Sequence, residues 1–156
     1  LPESKTPAEP RSDAEHEANS LHGARIMIME DDASVREVVV AMLESLECTV
    51  TEASDGEEAV RVYEGARTVG QPFDAVILDL TLPGGMGGEE VLQHLMGIDP
   101  KVRAIVASGY ANASVMSEYR DHGFKAALHK PFRREEVAEV LRGVVGARSS
   151  RVTPST

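Results

Sequence analysis

The chain has 156 residues, 42 % apolar and 27 % charged, with a formal net charge of −10. That is enough for one domain around one core, and the carboxylate excess argues against nucleic acid as a partner, since gripping it takes clustered Lys and Arg. A single cysteine, Cys48, excludes an intrachain disulfide and is compatible with a cytoplasmic setting; no apolar run nears the ~18 residues of a membrane span and no signal-peptide pattern opens the chain, so no direct membrane contact is expected.

Residues 1–24, rich in Pro, Glu, Ser and Ala without an apolar period, read as a disordered linker or arm, and residues 147–156 read as a disordered tail. Between them, residues 25–146 alternate strand and helix signals. Arg25–Met29 is a short apolar run. A helix follows with Val35, Val38, Val39, Met42 and Leu43 on one stripe, Ser34 and Glu37 having capping-box spacing at its start. Cys48–Ala53 alternates as a strand. Ser54 and Glu57 repeat the capping spacing before a second helix that carries Ala59, Val60, Tyr63 and Ala66 inward and stops at Gly70 and Pro72.

Phe73–Leu78 is the most apolar strand and runs into Asp79. After a Gly-rich loop comes a helix with Val91, Leu92 and Leu95, then the strand Val102–Ala107. A fourth helix is expected over Ala113–His122 with Gly123 as its C-terminal cap. Ala126–His129 is the fifth strand, and a last helix sets Val137, Val140, Leu141 and Val144 on one face. Runs such as AVIL and AIVA lack polar alternation, so both faces of the sheet should be covered. Five βα units of this kind predict an α/β protein: a doubly wound parallel sheet, with the first and third strands adjacent at a switch point and ligands beyond the carboxyl ends of the strands.

The polar residues gather at those ends. Glu30, Asp31 and Asp32 follow the first strand, Asp79 the third, Ser108 the fourth, and Lys130 with Pro131 the fifth. Carboxylates converging in one cleft repel each other unless a cation joins them. An oxygen-rich, half-open site suits Mg²⁺, which accepts one or two carboxylates together with phosphate oxygens and water. Asp79 is then a carboxylate nucleophile for a phosphoryl group, with Lys130 and Ser108 placed to meet its oxygens.

The stretches IMIMEDDASVRE, FDAVILDLTLPGGMGGEEVL, AIVASGYA and GFKAALHKPF, in this order and at this spacing, resemble the receiver domain of bacterial two-component response regulators over residues 25–146. The resemblance implies a flavodoxin-like receiver fold with strand order 2-1-3-4-5 and five helices. It implies that Asp79 is phosphorylated from a histidine kinase or phosphotransfer domain. Asp31, Asp79 and the backbone carbonyl of Thr81 would hold Mg²⁺, with Glu30 acting through water, while Asp32 would start the helix. Ser108 takes the switch-hydroxyl position, Lys130 that of the family's lysine, and Lys130–Pro131 is expected to be cis. Thr81 and Tyr110 flank the route of the hydrolytic water, Tyr110 as a shield. The phosphoryl chemistry would be self-catalysed rather than that of an enzyme with turnover, and the output a downstream protein partner, a homodimer being compatible.

Two features depart from the family pattern. The loop Pro83–Gly88 is one residue longer, and Ala127 stands where a switch aromatic is usual. The loop, SGYA and KPF look most like receivers of hybrid sensor histidine kinases, which implies a parent tethered through a sensor kinase. Three other functions compete. An interaction or dimerisation module without phosphorylation would not need Asp31, Asp79 and Lys130 together. An aspartyl-phosphate hydrolase needs a second acid where Thr81 stands. An FMN-binding module needs a Ser/Thr/Gly-rich first loop where this one is acidic.

Overall fold

A computed structural model describes residues 21–80, 86–109 and 113–152. Five strands, β1 (Arg25–Met29), β2 (Thr49–Ala53), β3 (Ala75–Asp79), β4 (Ala104–Ser108) and β5 (Ala126–His129), form one parallel sheet in the order β2-β1-β3-β4-β5. The helices are α1 (Ala33–Ser45), α2 (Gly56–Thr68), α3 (Gly88–Ile98), α4 (Ala113–Ser117) and α5 (Arg134–Val152). The predicted doubly wound fold with order 2-1-3-4-5 is therefore observed. Among the described residues no helix is long and apolar enough to cross a membrane.

The unalternated strands have the expected cause. Every residue of β3 and β4 is buried, because both sheet faces are covered. Side chains along a strand divide between two cores. Ile26, Ile28, Ile77, Ile105 and Leu128 meet Val39, Leu43, Val137 and Leu141 of α1 and α5. Met27, Met29, Val76, Leu78 and Val106 meet Tyr63, Leu92, Leu95 and Phe124 on the other face. Each of these aliphatic side chains contributes about 1.5–3 kcal/mol by leaving water.

Several local expectations are corrected. The folded unit begins before residue 25: Leu21 is fully buried, Gly23 N–H donates to the Glu47 carbonyl at 2.8 Å, and Thr49 N–H donates to the Ala24 carbonyl at 2.7 Å. Residues 1–20 lie outside the described residues. At the other end α5 continues to Val152, so the expected tail at 147 starts inside a helix. The α1 cap is Asp32, the helix start the resemblance implied and not the Ser34 of the capping-box spacing; its Oδ1 accepts from Ser34 N–H at 2.9 Å and Val35 N–H at 3.3 Å. The cap of α2 is likewise Asp55, which accepts from Glu58 N–H at 2.8 Å. The Glu58 carboxylate returns to Ser54 N–H at 2.8 Å, a reciprocal cap one residue later than Ser54 and Glu57 suggested. The bonds from the Ser54 N–H and from its hydroxyl, at 3.0 Å, hold the Glu58 carboxyl below its ordinary pKa.

On α1 the stripe is narrower than expected, for Val39 and Leu43 are buried but Val38 is 54 % exposed. On α5 the fully buried set is Val137, Ala138, Leu141 and Val145, with Val140 and Val144 half-buried. Helix α4 ends at Ser117 instead of His122: Glu118, Asp121, His122 and Gly123 donate to carbonyls three residues back, so the chain runs on as tight turns to Gly123, whose φ is 96°.

Candidate functional site

The carboxyl edge of the sheet collects the reactive side chains. Parallel pairing puts the ends of β1, β3, β4 and β5 side by side, so Glu30, Asp31, Asp79, Ser108 and Lys130 come together although they span a hundred residues of sequence. Glu30, Asp79 and Ser108 are buried, at 3 %, 2 % and 1 % exposure. Asp31 is exposed. Lys130 Nζ lies 2.7 Å from Glu30 Oε1 and 3.2 Å from Asp79 Oδ2. The backbone locks the same corner, because Lys130 N–H donates to the Ser108 carbonyl at 2.8 Å and Leu80 N–H to the Ala107 carbonyl at 2.8 Å. The Lys130–Pro131 bond is cis, as the resemblance implied.

Close approach by the loop after Asp79 depends on two glycines. A Cβ on Gly88 would stand 2.9 Å from the Asp79 carbonyl oxygen, and one on Gly56 would stand 2.6 Å from Met86 Cβ. Neither fits, so the segment Met86–Gly88 can fold back against the end of β3 only with glycine at both places. Thr81, Pro83–Gly85 and Tyr110 lie outside the described residues.

Burial lifts the Glu30 carboxyl above its ordinary pKa, and the charge of Asp79 adds to that, against the bonds from Lys130 and from Asp32 N–H at 3.1 Å. Burial alone would depress the Lys130 ammonium, but its bonds to Glu30 and Asp79 win and its pKa is raised. Lys130 therefore stays cationic, held between two buried carboxylates.

One ammonium does not balance three carboxylates. An oxygen from each of Glu30, Asp31 and Asp79 lies within 4.8 Å of the others. This all-oxygen set is able to hold a hard divalent cation, and the negative charge it concentrates favours one. Ser108 adds a second signal. Among the described residues its buried Oγ has no hydrogen-bond partner, and a buried hydroxyl without one is destabilising until a ligand supplies it.

Arg36 went unnoticed in the sequence. From the first turn of α1 it donates to the Glu30 carbonyl at 2.6 Å and to Glu52 at 3.0 Å, bracing the acidic loop against β2. The signal was present, an Arg four residues after the Asp32 cap on the same side of the helix. Ala127 is half-buried beside the second core, and no aromatic residue occupies that place on β5.

Beside Lys130 opens an apolar groove of about 460 Å³, lined by Val35, Val38, Val39, Gly109, Pro131 and Phe132. Its lining explains the exposed Val38, which faces the groove rather than the core.

A doubly wound parallel sheet with an acidic, lysine-bearing cleft at its switch point defines the class of receiver-like α/β proteins. Residues 26–142 match the model of the response regulator receiver domain, and the chain belongs to that family of two-component signalling domains. It is 31 % identical over 126 residues to the sensor kinase CckA of Brucella abortus, covering 80 % of this chain and 13 % of that one. To protein CcdB of Bacillus subtilis it is 28 % identical over 123 residues, covering 78 % and 98 %. It spans only 15 % of the transcription factor SKN7 of Chaetomium thermophilum, at 28 % identity. Among solved structures it is similar to the receiver domain of the sensor histidine kinase PA1611 of Pseudomonas aeruginosa PAO1, which has a magnesium ion coordinated in its active-site cleft. The identity is 29 % and the TM-score 0.69, over 80 % of this chain and 98 % of that one.

Proposed function

We propose that Asp79 accepts a phosphoryl group from a phosphohistidine of a kinase or phosphotransfer domain. The observation that carries this reading is the half-buried Lys130 ammonium, bound at once to Asp79 and Glu30 beside the Ser108 hydroxyl, which has no partner among the described residues. An oxygen of Asp79 forms the new bond to phosphorus while the phosphorus–nitrogen bond breaks and the imidazole keeps the electron pair. Lys130 then meets one phosphoryl oxygen, and Ser108 donates its proton to another. Asp31, Asp79 and the Thr81 carbonyl would hold Mg²⁺, with Glu30 reaching it through water. When bound, the ion supplies positive charge against the phosphoryl oxygens. The PA1611 receiver, with magnesium in its cleft, supports that assignment.

The apolar groove suits the approach of the donor, since Lys130 lines it and also faces the cleft. The surface of α4, β5 and α5 would carry the changed state to a downstream protein. Tyr110, two residues after Ser108, and Thr81, two after Asp79, would govern the loss of phosphate to water, Tyr110 as a shield.

The test is incubation with a small phosphoramidate donor and Mg²⁺. One acid-stable, base-labile or hydroxylamine-labile phosphate per chain is not enough by itself; it must disappear in Asp79→Asn and on chelation of the metal. Phosphorylation that persists in Asp79→Asn would refute the assignment.

A further inference from the structure

A second cleft lies at the opposite edge of the sheet. It encloses about 450 Å³ between the starts of β4 and β5, the turn after α4 and the middle of α5. Three cations converge on it from three segments. Arg103 immediately precedes β4, Lys125 immediately precedes β5, and Arg120 belongs to the turns after α4. Lys125 N–H donates to the Ala104 carbonyl at 2.7 Å, which sets Lys125 level with Ala104, one residue on from Arg103. In a chain of net charge −10, none of the three has an ion pair among the described residues. Among the described residues one carboxylate, Glu139, shares the cleft.

The rest of the lining sets half-buried aromatic and aliphatic side chains beside these charges. The guanidinium of Arg120 lies 5.3 Å from the centroid of the Tyr119 ring, which presents an aromatic wall with a cation on it. Val140 and Val144 supply an aliphatic wall. Gly143, in the middle of α5, leaves the floor open, since a Cβ there would meet nothing within 4 Å. Gly is a poor residue for a helix interior, and here its absent side chain is what leaves that space.

The lining therefore has a cationic half and a half with apolar and aromatic walls, in a volume typical of small-ligand sites. The negative field of the whole chain disfavours an extended polyanion such as nucleic acid, while a compact anion would feel mainly the three cations near it. We propose that this cleft binds a nucleoside polyphosphate. The phosphates pair with Arg103 and Lys125, the base lies along Tyr119 and the valines, and Glu139 accepts from its amino or sugar hydroxyl groups. The site lies roughly 15 Å along the strands from Asp79, by the rise of a five-residue strand; it borders the α4, β5 and α5 surface assigned above to a downstream protein, but does not depend on phosphorylation of Asp79.

The test is calorimetric titration of the full chain with ATP and with GTP in EDTA, which keeps phosphate from a metal in the acidic cleft. Saturable one-to-one binding with a Kd below about 1 mM is expected for at least one of them. Asp79→Asn should leave it unchanged. Arg103→Gln with Lys125→Gln should weaken it by about tenfold or more. Gly143→Leu, which fills the floor with a better helix former, should block it while circular dichroism shows the fold retained. Absence of binding, or binding indifferent to these substitutions, overturns the proposal. Inorganic tripolyphosphate binding as tightly as the nucleotides would overturn the nucleoside part. An acidic peptide binding where nucleotides do not would reassign the cleft to a protein partner.

Discussion

The hydroxyl of Tyr63 donates to Asp99 Oδ2 at 2.8 Å from a side chain that is 1 % exposed, and Arg67 meets the same carboxylate oxygen at 3.1 Å. Burial, then the bond and charge of Asp99, push the phenol well above its ordinary pKa of about 10. A raised folded-state pKa means that the stabilisation is complete below the unfolded value and is lost as pH rises through the folded one. Tyr63→Phe should cost about 1 kcal/mol at neutral pH, since Asp99 keeps Arg67 and the Lys101 N–H at 3.0 Å. Urea titrations should show the two proteins converging in stability above pH ~10; parallel curves across that range would argue against the phenol as the titrating group. At the same scale, Asp and Ser both cap helices, so the sequence offers two solutions at each start; the resemblance pointed to Asp32, whereas around 54–55 only side-chain geometry selects Asp55. Glu47, at φ 70°, occupies the left-handed position after α1 where glycine is usual, and nothing in its identity announces that.

Among the elements, the strands were the most legible, because unbroken apolar runs such as AVIL and AIVA have one sensible home in a sheet covered on both faces. Their polar ends were legible for the same reason, and the topology brings Glu30, Asp31, Asp79, Ser108 and Lys130 to one edge. Helices were less so. A 3.6-residue period marks a stripe but not how much of it meets the core, and so Val38 was placed inside. Its exposure gives a separable test of the groove. Val38→Glu adds a charge where the backbone and core do not change, so stability should move by no more than about 0.5 kcal/mol. Phosphotransfer from a phosphohistidine donor protein should slow by about tenfold if the groove seats that donor, a loss of roughly 1.4 kcal/mol of contact. Phosphorylation by a small phosphoramidate should be unchanged. Equal slowing with both donors would point to damage in the cleft instead. Helix α4 was overextended because the sequence pattern does not show where hydrogen bonding shifts from four residues back to three.

For the molecule as a whole, the boundaries were the least legible part. Leu21 is a single apolar residue in a polar stretch, and its fit into the first core is a tertiary fact without a sequence period. The two cores make a quantitative prediction. Leu43 belongs to one and Leu95 to the other, each fully buried. Leu43→Ala and Leu95→Ala should each cost about 2–5 kcal/mol, and, because the sheet stands between them, the pair should be additive within about 0.5 kcal/mol. Measurement in Leu21→Ala backgrounds is best avoided, since Leu21 shares the first core. A coupling well beyond that figure would mean that the sheet transmits packing changes rather than isolating them.

That separation bears on how a signal crosses the domain. The groove beside Lys130 is built on Val35, Val39 and Phe132, which pack in the first core, whereas Met116, Phe124 and the segment around α4 rest on the second. Writing would then use the first compartment, while reading through α4, β5 and α5 would draw on both. The sheet is the wall between them, and its carboxyl edge, where Asp79 and Ser108 sit on adjacent strands, is the doorway.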